Sequence, residues 1–201
     1  MKMSKYQDKY SGRAAAVLGG GPSLPDDIVK LPPGCLLIAV NHHAQYLCKP
    51  DFMVYNDHRE GQDDELRRAI LAGNVIRVSA EPESDIEFDV DVWTGFYSSN
   101  TATWFACWMG CDPVILCGMD LYQSERAYFH DYVDKPHFHY PLSHHIAPWI
   151  EEAKSRLPGW ERVRAMSGPL VSVFGQYRNG SGKIADGMRQ GCGKIADGGS
   201  A

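Results

Sequence analysis

Apolar residues fall into short runs along the chain, each closed by glycine, proline or a polar cluster. Runs of four to six with nothing polar inside them are the pattern of strands covered on both faces of a sheet. Such runs predict strands at residues 14–18, 36–40 and 113–117, and shorter apolar stretches interrupted by charged residues predict strands at 50–55, 75–78 and 161–165. Between them the period changes. Residues 63–72 predict an amphipathic helix with Leu66, Ile70 and Leu71 inward and Arg67 and Arg68 outward. Ala102, Phe105, Ala106 and Met109 fall at i, i+3, i+4 and i+7, the buried face of a second helix that stops at Gly110. Shorter helices are predicted at 25–30, 44–48 and 170–177, and a longer one over about 143–157. Strands alternating with helices predict an α/β fold, a Rossmann-like doubly wound and mostly parallel sheet with helices on both faces.

The first strand carries the most informative turn. It runs into Gly19, Gly20, Gly21, Pro22 and Ser23. Glycines there leave no Cβ in the way of a ligand. Pro22 suits a first helical turn and Ser23 an N-cap, and a helix N-terminus favours an anion. Nucleotide or phosphate binding and a tight turn without a ligand are equally consistent with three glycines. The stretch is neither GxGxxG nor a Walker loop.

In an open parallel sheet, polar groups just past the strand ends face the ligand crevice. Asn41, with His42 and His43, follows the second strand, where Asn41 could pair with a base or sugar edge. Asp57 follows the third and could bind Mg²⁺ or a ribose hydroxyl, or cap a helix. Ser98, Ser99 and Asn100 precede the second long helix, as substrate donors or as a cap. Asp120, two residues past the fifth strand, suits a metal, a ribose or a general base. Residues 124–140 are rich in tyrosine and histidine, the composition of a lid or binding segment. There His137 and His139 could share a metal if a third ligand joined them. His144 or His145 could act as general acid or base.

Composition narrows the classes. The chain has 201 residues, 44% hydrophobic and 22% charged, with a net charge of −5. It suits one domain over residues 1–178, with the lid at about 123–143 and a glycine-rich flexible tail at 179–201. Residues 1–12 read as a loose polar lead-in. Net negative charge argues against a nucleic-acid partner. No apolar run is long enough for a membrane span and the start is too polar for a signal peptide, so a cytoplasmic location is expected. Cys35, Cys48, Cys107, Cys111 and Cys117 read as small buried hydrophobes, and no CxxC pair suggests structural zinc.

Three blocks, VLGGGPSL, AVNHHAQYLCKPDFMVYND and SSNTATWFACWMGCDPVILCGMDLY, together resemble the MptE-like family. That is a Rossmann-like group named for an archaeal 6-hydroxymethylpterin diphosphokinase, with small members among phage and prophage proteins. The same blocks resemble the bacterial lipooligosaccharide sialyltransferases, which use CMP-sialic acid. The first resemblance implies a transferase whose glycine loop takes ATP phosphates while Asp57 and Asp120 position Mg²⁺ for pyrophosphoryl transfer. Only Lys49, Arg59 and Arg126 supply nearby basic groups for that role. The second implies that Gly21, Pro22 and Ser23 hold the nucleotide phosphates and Asn41 the cytidine. Ser98 and Ser99 would then help bind the donor, and His144 or His145 would deprotonate an acceptor hydroxyl. Gly20 stands where those enzymes typically carry Asn. A phage-borne member with a non-catalytic morphogenesis or accessory role is a third reading. The partners implied are a small-molecule nucleotide donor and a hydroxyl acceptor.

Overall fold

The computed structural model describes residues 1–94, 97–132, 152–153 and 155–178. Its centre is β1 (Ala15–Leu18), flanked by β2 (Leu36–Val40) on one side and β5 (Val114–Cys117) on the other. With β3 (Phe52–Val54), β4 (Ile76–Val78) and β6 (Val163–Ala165) they form a six-stranded sheet of order β4-β3-β2-β1-β5-β6. Every pairing is parallel, and Val17 stands opposite both Ile38 and Leu116. The order reverses between β1 and β5, which opens a crevice beyond the carboxyl ends of the strands at that point.

The two faces of the sheet bury different cores. Ala15 and Val17 point into the larger, and Ala16 and Leu18 into the other, all four fully buried. The first face is covered by α3 (Ser98–Trp108), whose Ala102, Phe105 and Ala106 are inaccessible. The second is covered by α1 (Leu24–Ile28), while α2 (Asp64–Ala72) lays Leu66 and Ile70 on Met53 and Tyr55. A last helix, α4 (Val171–Phe174), packs Phe174 into the first core. The doubly wound architecture expected from the alternation is therefore the one observed. No helix of the described residues is long and apolar enough to cross a membrane.

Several local expectations change. The lead-in is not loose: Met3 and Tyr6, one 3-10 turn apart, are both buried against Phe52 and Phe105 or their neighbours in the core. Leu71 points to solvent, 74% exposed, because only Leu66 and Ile70 reach the sheet. Pro22 lies ahead of α1, and Pro25 takes the first-turn position instead. Ser98, Ser99 and Asn100 do not precede α3 but form its first turn. That helix is buried on nearly every side, Thr101, Thr103 and Trp104 included, and Val92 and Trp93 from residues 79–94 join its core cluster. Cys35, Cys107, Cys111 and Cys117 are buried free thiols, and burial pushes Cys35 and Cys107 up to about 12.

Candidate functional site

Parallel strands send all their exits to one edge, so the loops after β1, β2 and β5 and the first turn of α3 converge. They enclose a crevice of about 130 Å³. Gly19, Gly20 and Gly21 form one wall, Asn41 and His43 another, and Ser98 and Ser99 a third. Asp120 lines the β5 side, and Tyr122 and Tyr128 also line the crevice.

Each glycine of the first wall is required by a different neighbour. A Cβ on Gly19 would stand 2.4 Å from the Gly118 carbonyl oxygen. One on Gly20 would meet the His43 and Tyr128 rings at 2.8 Å. One on Gly21 would sit 2.0 Å from Asp120 Oδ2 and 2.7 Å from the Gly118 oxygen. The turn is zipped to the β5 exit: Gly19 N–H donates to Cys117 O and Gly21 N–H to Gly118 O, both at 2.8 Å. Ser23 N–H and its hydroxyl donate to Asp120 Oδ2 at 3.1 and 2.9 Å. Ser23 thus makes no side-chain cap, and the carboxylate of Asp120 occupies the place of an anion at this turn.

Behind the turn stands Asp27, 1% exposed. Its Oδ2 accepts from Gly118 N–H at 3.0 Å and from the Ser167 hydroxyl at 2.7 Å, with Ser23 Oγ at 3.3 Å. A Ser hydroxyl carries one proton, and the shorter contact gives Ser23's to Asp120. Asp27 therefore fixes the Gly118 turn whose carbonyl lies against Gly19 and Gly21. The sequence reading places it only within the short helix at 25–30, beside Asp26.

Asn41 is held at φ +54°, donates its N–H to Val54 O at 2.9 Å, and has a buried Oδ1 with no hydrogen-bond partner. Leu121 and Tyr122 also have positive φ. Three of the four such non-glycine residues among those described line this crevice. Each costs about 1–2 kcal/mol, and strain of this kind collects at functional sites. Ser98 Oγ accepts from Asn56 N–H at 3.0 Å, while the Asn56 amide donates to Thr94 O and Thr101 Oγ1. Asn100 is buried behind this turn with an unpartnered Oδ1 and does not line the crevice.

The structure does not bring Asp57 to Asp120. Asp57 follows β3, three strand spacings from β5, or about 14 Å at ~4.8 Å per strand. It is not among the lining residues, and its carbonyl takes Gln62 Nε2 at 3.1 Å. Mg²⁺ needs oxygen ligands at about 2.1 Å, so these two carboxylates do not form one Mg²⁺ cage in this arrangement. His144 and His145 lie outside the described residues, as do His137, His139 and the later part of the expected lid. The described part of that lid is pinned by Phe129 N–H to Gly20 O at 3.0 Å.

That segment carries a cluster which no local spacing reveals. Tyr128 stacks on His43 with ring centroids 4.4 Å apart. His43 Nδ1 lies 2.9 Å from His130 Nε2. His42 adjoins both, 4% exposed, and burial moves its pKa below the ordinary imidazole value. Burial likewise pushes the Tyr128 phenol up. Tyr132 OH donates to Asp63 Oδ2, and Tyr46 OH to Glu65 Oε2.

No family model matches the chain, and no curated protein does. Among solved structures the chain is similar to the MAf glycosyltransferase from Magnetospirillum magneticum AMB-1. The two are 17% identical with a TM-score of 0.41, over 59% of this chain and 26% of that one. The chain spans about a quarter of that protein's length. The MptE-like and sialyltransferase resemblances rest on the three sequence blocks.

Proposed function

We propose that the crevice binds the nucleotide part of an activated donor and that the chain passes the activated group to a hydroxyl acceptor. The observation that supports this best is Asn41, a crevice residue in a strained conformation whose buried carbonyl oxygen lacks a donor. A base amino group or a sugar hydroxyl supplies that donor. Ser98 and Ser99 present hydroxyls from the adjacent wall, and the rings of Tyr122 and Tyr128 cover the bound group. Asp120 faces the same space and accepts the proton of the attacking hydroxyl, Ser23 steadying its carboxylate. The donor is ATP in the MptE-like version and a CMP-sugar in the sialyltransferase-like version, where His144 or His145 takes the proton instead.

Thermal shift against CMP, CDP, UDP, GDP, AMP and ATP, each with and without Mg²⁺, tests the reading. A ligand at a hundredfold excess over Kd stabilises by about 2.7 kcal/mol. A metal-independent shift with CMP favours the sugar-transferase version, and an Mg²⁺-dependent shift with ATP the pyrophosphoryl version. Asn41→Gly keeps the backbone conformation and removes the amide. It is expected to weaken the responding nucleotide about tenfold, the value of one buried hydrogen bond. Absence of any shift refutes nucleotide binding and leaves the non-catalytic role.

A further inference from the structure

We propose that His42, His43 and His130 form a Zn²⁺ site beside the crevice. One nitrogen from each lies within 4.8 Å of the others, and His42 and His43 are buried. Both nitrogens of His42 are inaccessible and lack a hydrogen-bond partner. Buried polar groups are almost always satisfied, and a cation bound among the three rings supplies what His42 lacks. Glu65 Oε2 lies 3.3 Å from His42 Nε2. A carboxylate in that place orients a ligating imidazole from the outer shell.

The donor set selects the ion. Three imidazoles suit zinc and its first-row neighbours, whereas Mg²⁺ and Ca²⁺ take oxygens. Tetrahedral zinc with Zn–N of about 2.0–2.1 Å holds its nitrogens roughly 3.3 Å apart. The 2.9 Å between His43 Nδ1 and His130 Nε2 and the 4.8 Å that bounds the three nitrogens lie on either side of that spacing, so the rings adjust to close on the ion. Three protein ligands leave a position for water or a ligand oxygen, the arrangement of catalytic rather than structural zinc. His43 belongs both to this cluster and to the crevice wall, and Gly20 is the residue whose missing side chain lets the His43 ring lie there. The site joins β2's exit to the 122–132 segment and does not depend on which nucleotide the crevice takes, or on whether it takes one.

The test uses the full chain expressed without a polyhistidine tag. Zn²⁺ is titrated against a chromogenic chelator, and metal content is measured after dialysis. One Zn²⁺ per chain is expected. His130→Ala and His43→Ala are each expected to lower Zn²⁺ affinity more than tenfold, beyond the loss of an outer-shell partner, and Glu65→Gln by about tenfold. His58→Ala is expected to change nothing, because His58 is an exposed partner of Glu81. Circular dichroism checks that the variants fold. Co²⁺ bound to the unsubstituted chain gives a second readout, a visible spectrum of four or five coordination. Failure of the unsubstituted chain to hold Zn²⁺, a six-coordinate Co²⁺ spectrum, or unchanged affinity in folded His130→Ala overturns the proposal. Nucleotide shifts measured with and without Zn²⁺ keep this outcome separate from that of the donor reading.

Discussion

Asp27 offers the sharpest stability test, because it joins three segments through one carboxylate oxygen. Asp27→Ala leaves Gly118 N–H buried without an acceptor, at a cost of about 1–3 kcal/mol. It also removes the charge-assisted Ser167 bond, worth about 1.5 kcal/mol. An opposing term exists: Asp27 Oδ1 is buried with no partner, so deleting the side chain relieves a desolvated oxygen. The expected net loss is about 2–3 kcal/mol, from the balance of these terms. Asp27→Asn retains an acceptor for Gly118 but turns charge-assisted bonds into neutral ones about half as strong, so it should lose about 1–2 kcal/mol. Urea denaturation followed by tryptophan fluorescence measures both, with m-values checked for constancy. A loss under about 1 kcal/mol for the alanine variant, or an asparagine variant at least as damaged, refutes the assignment of Asp27 as the support of the Gly118 turn.

Two further outcomes follow from contacts around the sheet edge. Gly19→Ala brings its Cβ to 2.4 Å from a backbone oxygen, whereas Gly20→Ala meets side-chain rings at 2.8 Å. Overpacking costs about 1–3 kcal/mol, so Gly19→Ala is expected at the top of that range and Gly20→Ala at the bottom, and equal melting temperatures would contradict this. At the β4 edge, the Arg77 guanidinium hydrogen bond holds Asp85 below its usual carboxylate range. The unfolded chain binds that proton more readily, so the stabilisation is present above about pH 4 and is lost as pH falls through the folded value. Both side chains are partly exposed, which limits the effect to about 1 kcal/mol. Stability profiles of wild type and Asp85→Asn between pH 5 and pH 2 should converge at the acid end, and parallel profiles would refute the linkage.

What could be read from the sequence follows from the parallel topology. A run buried on both faces has no polar interruption, so Val17, Ile38 and Leu116 announced their strands, and strands alternating with helices announced the winding. Parallel strands also exit at one edge, which is why polar residues written just after them, such as Asn41 and Asp120, were placed at the crevice. The same rule overreached at Asp57, because it states which edge a residue reaches and not how many strand spacings separate it from its partner. Residues whose chemistry depends on a distant partner carried no local mark. His42 and His43 are adjacent, but the third imidazole is 87 positions along the chain from His43. Asp26 and Asp27 look alike in the first turn of a short helix, and only the arrival of Gly118 and Ser167 from the β5 and β6 exits separates the buried one from its neighbour. The glycine turn shows the general case. Its three residues were legible as a place where side chains are excluded. What excludes them is a carbonyl, a ring pair and a carboxylate from three other segments, so the reason could be read only once those segments were in place.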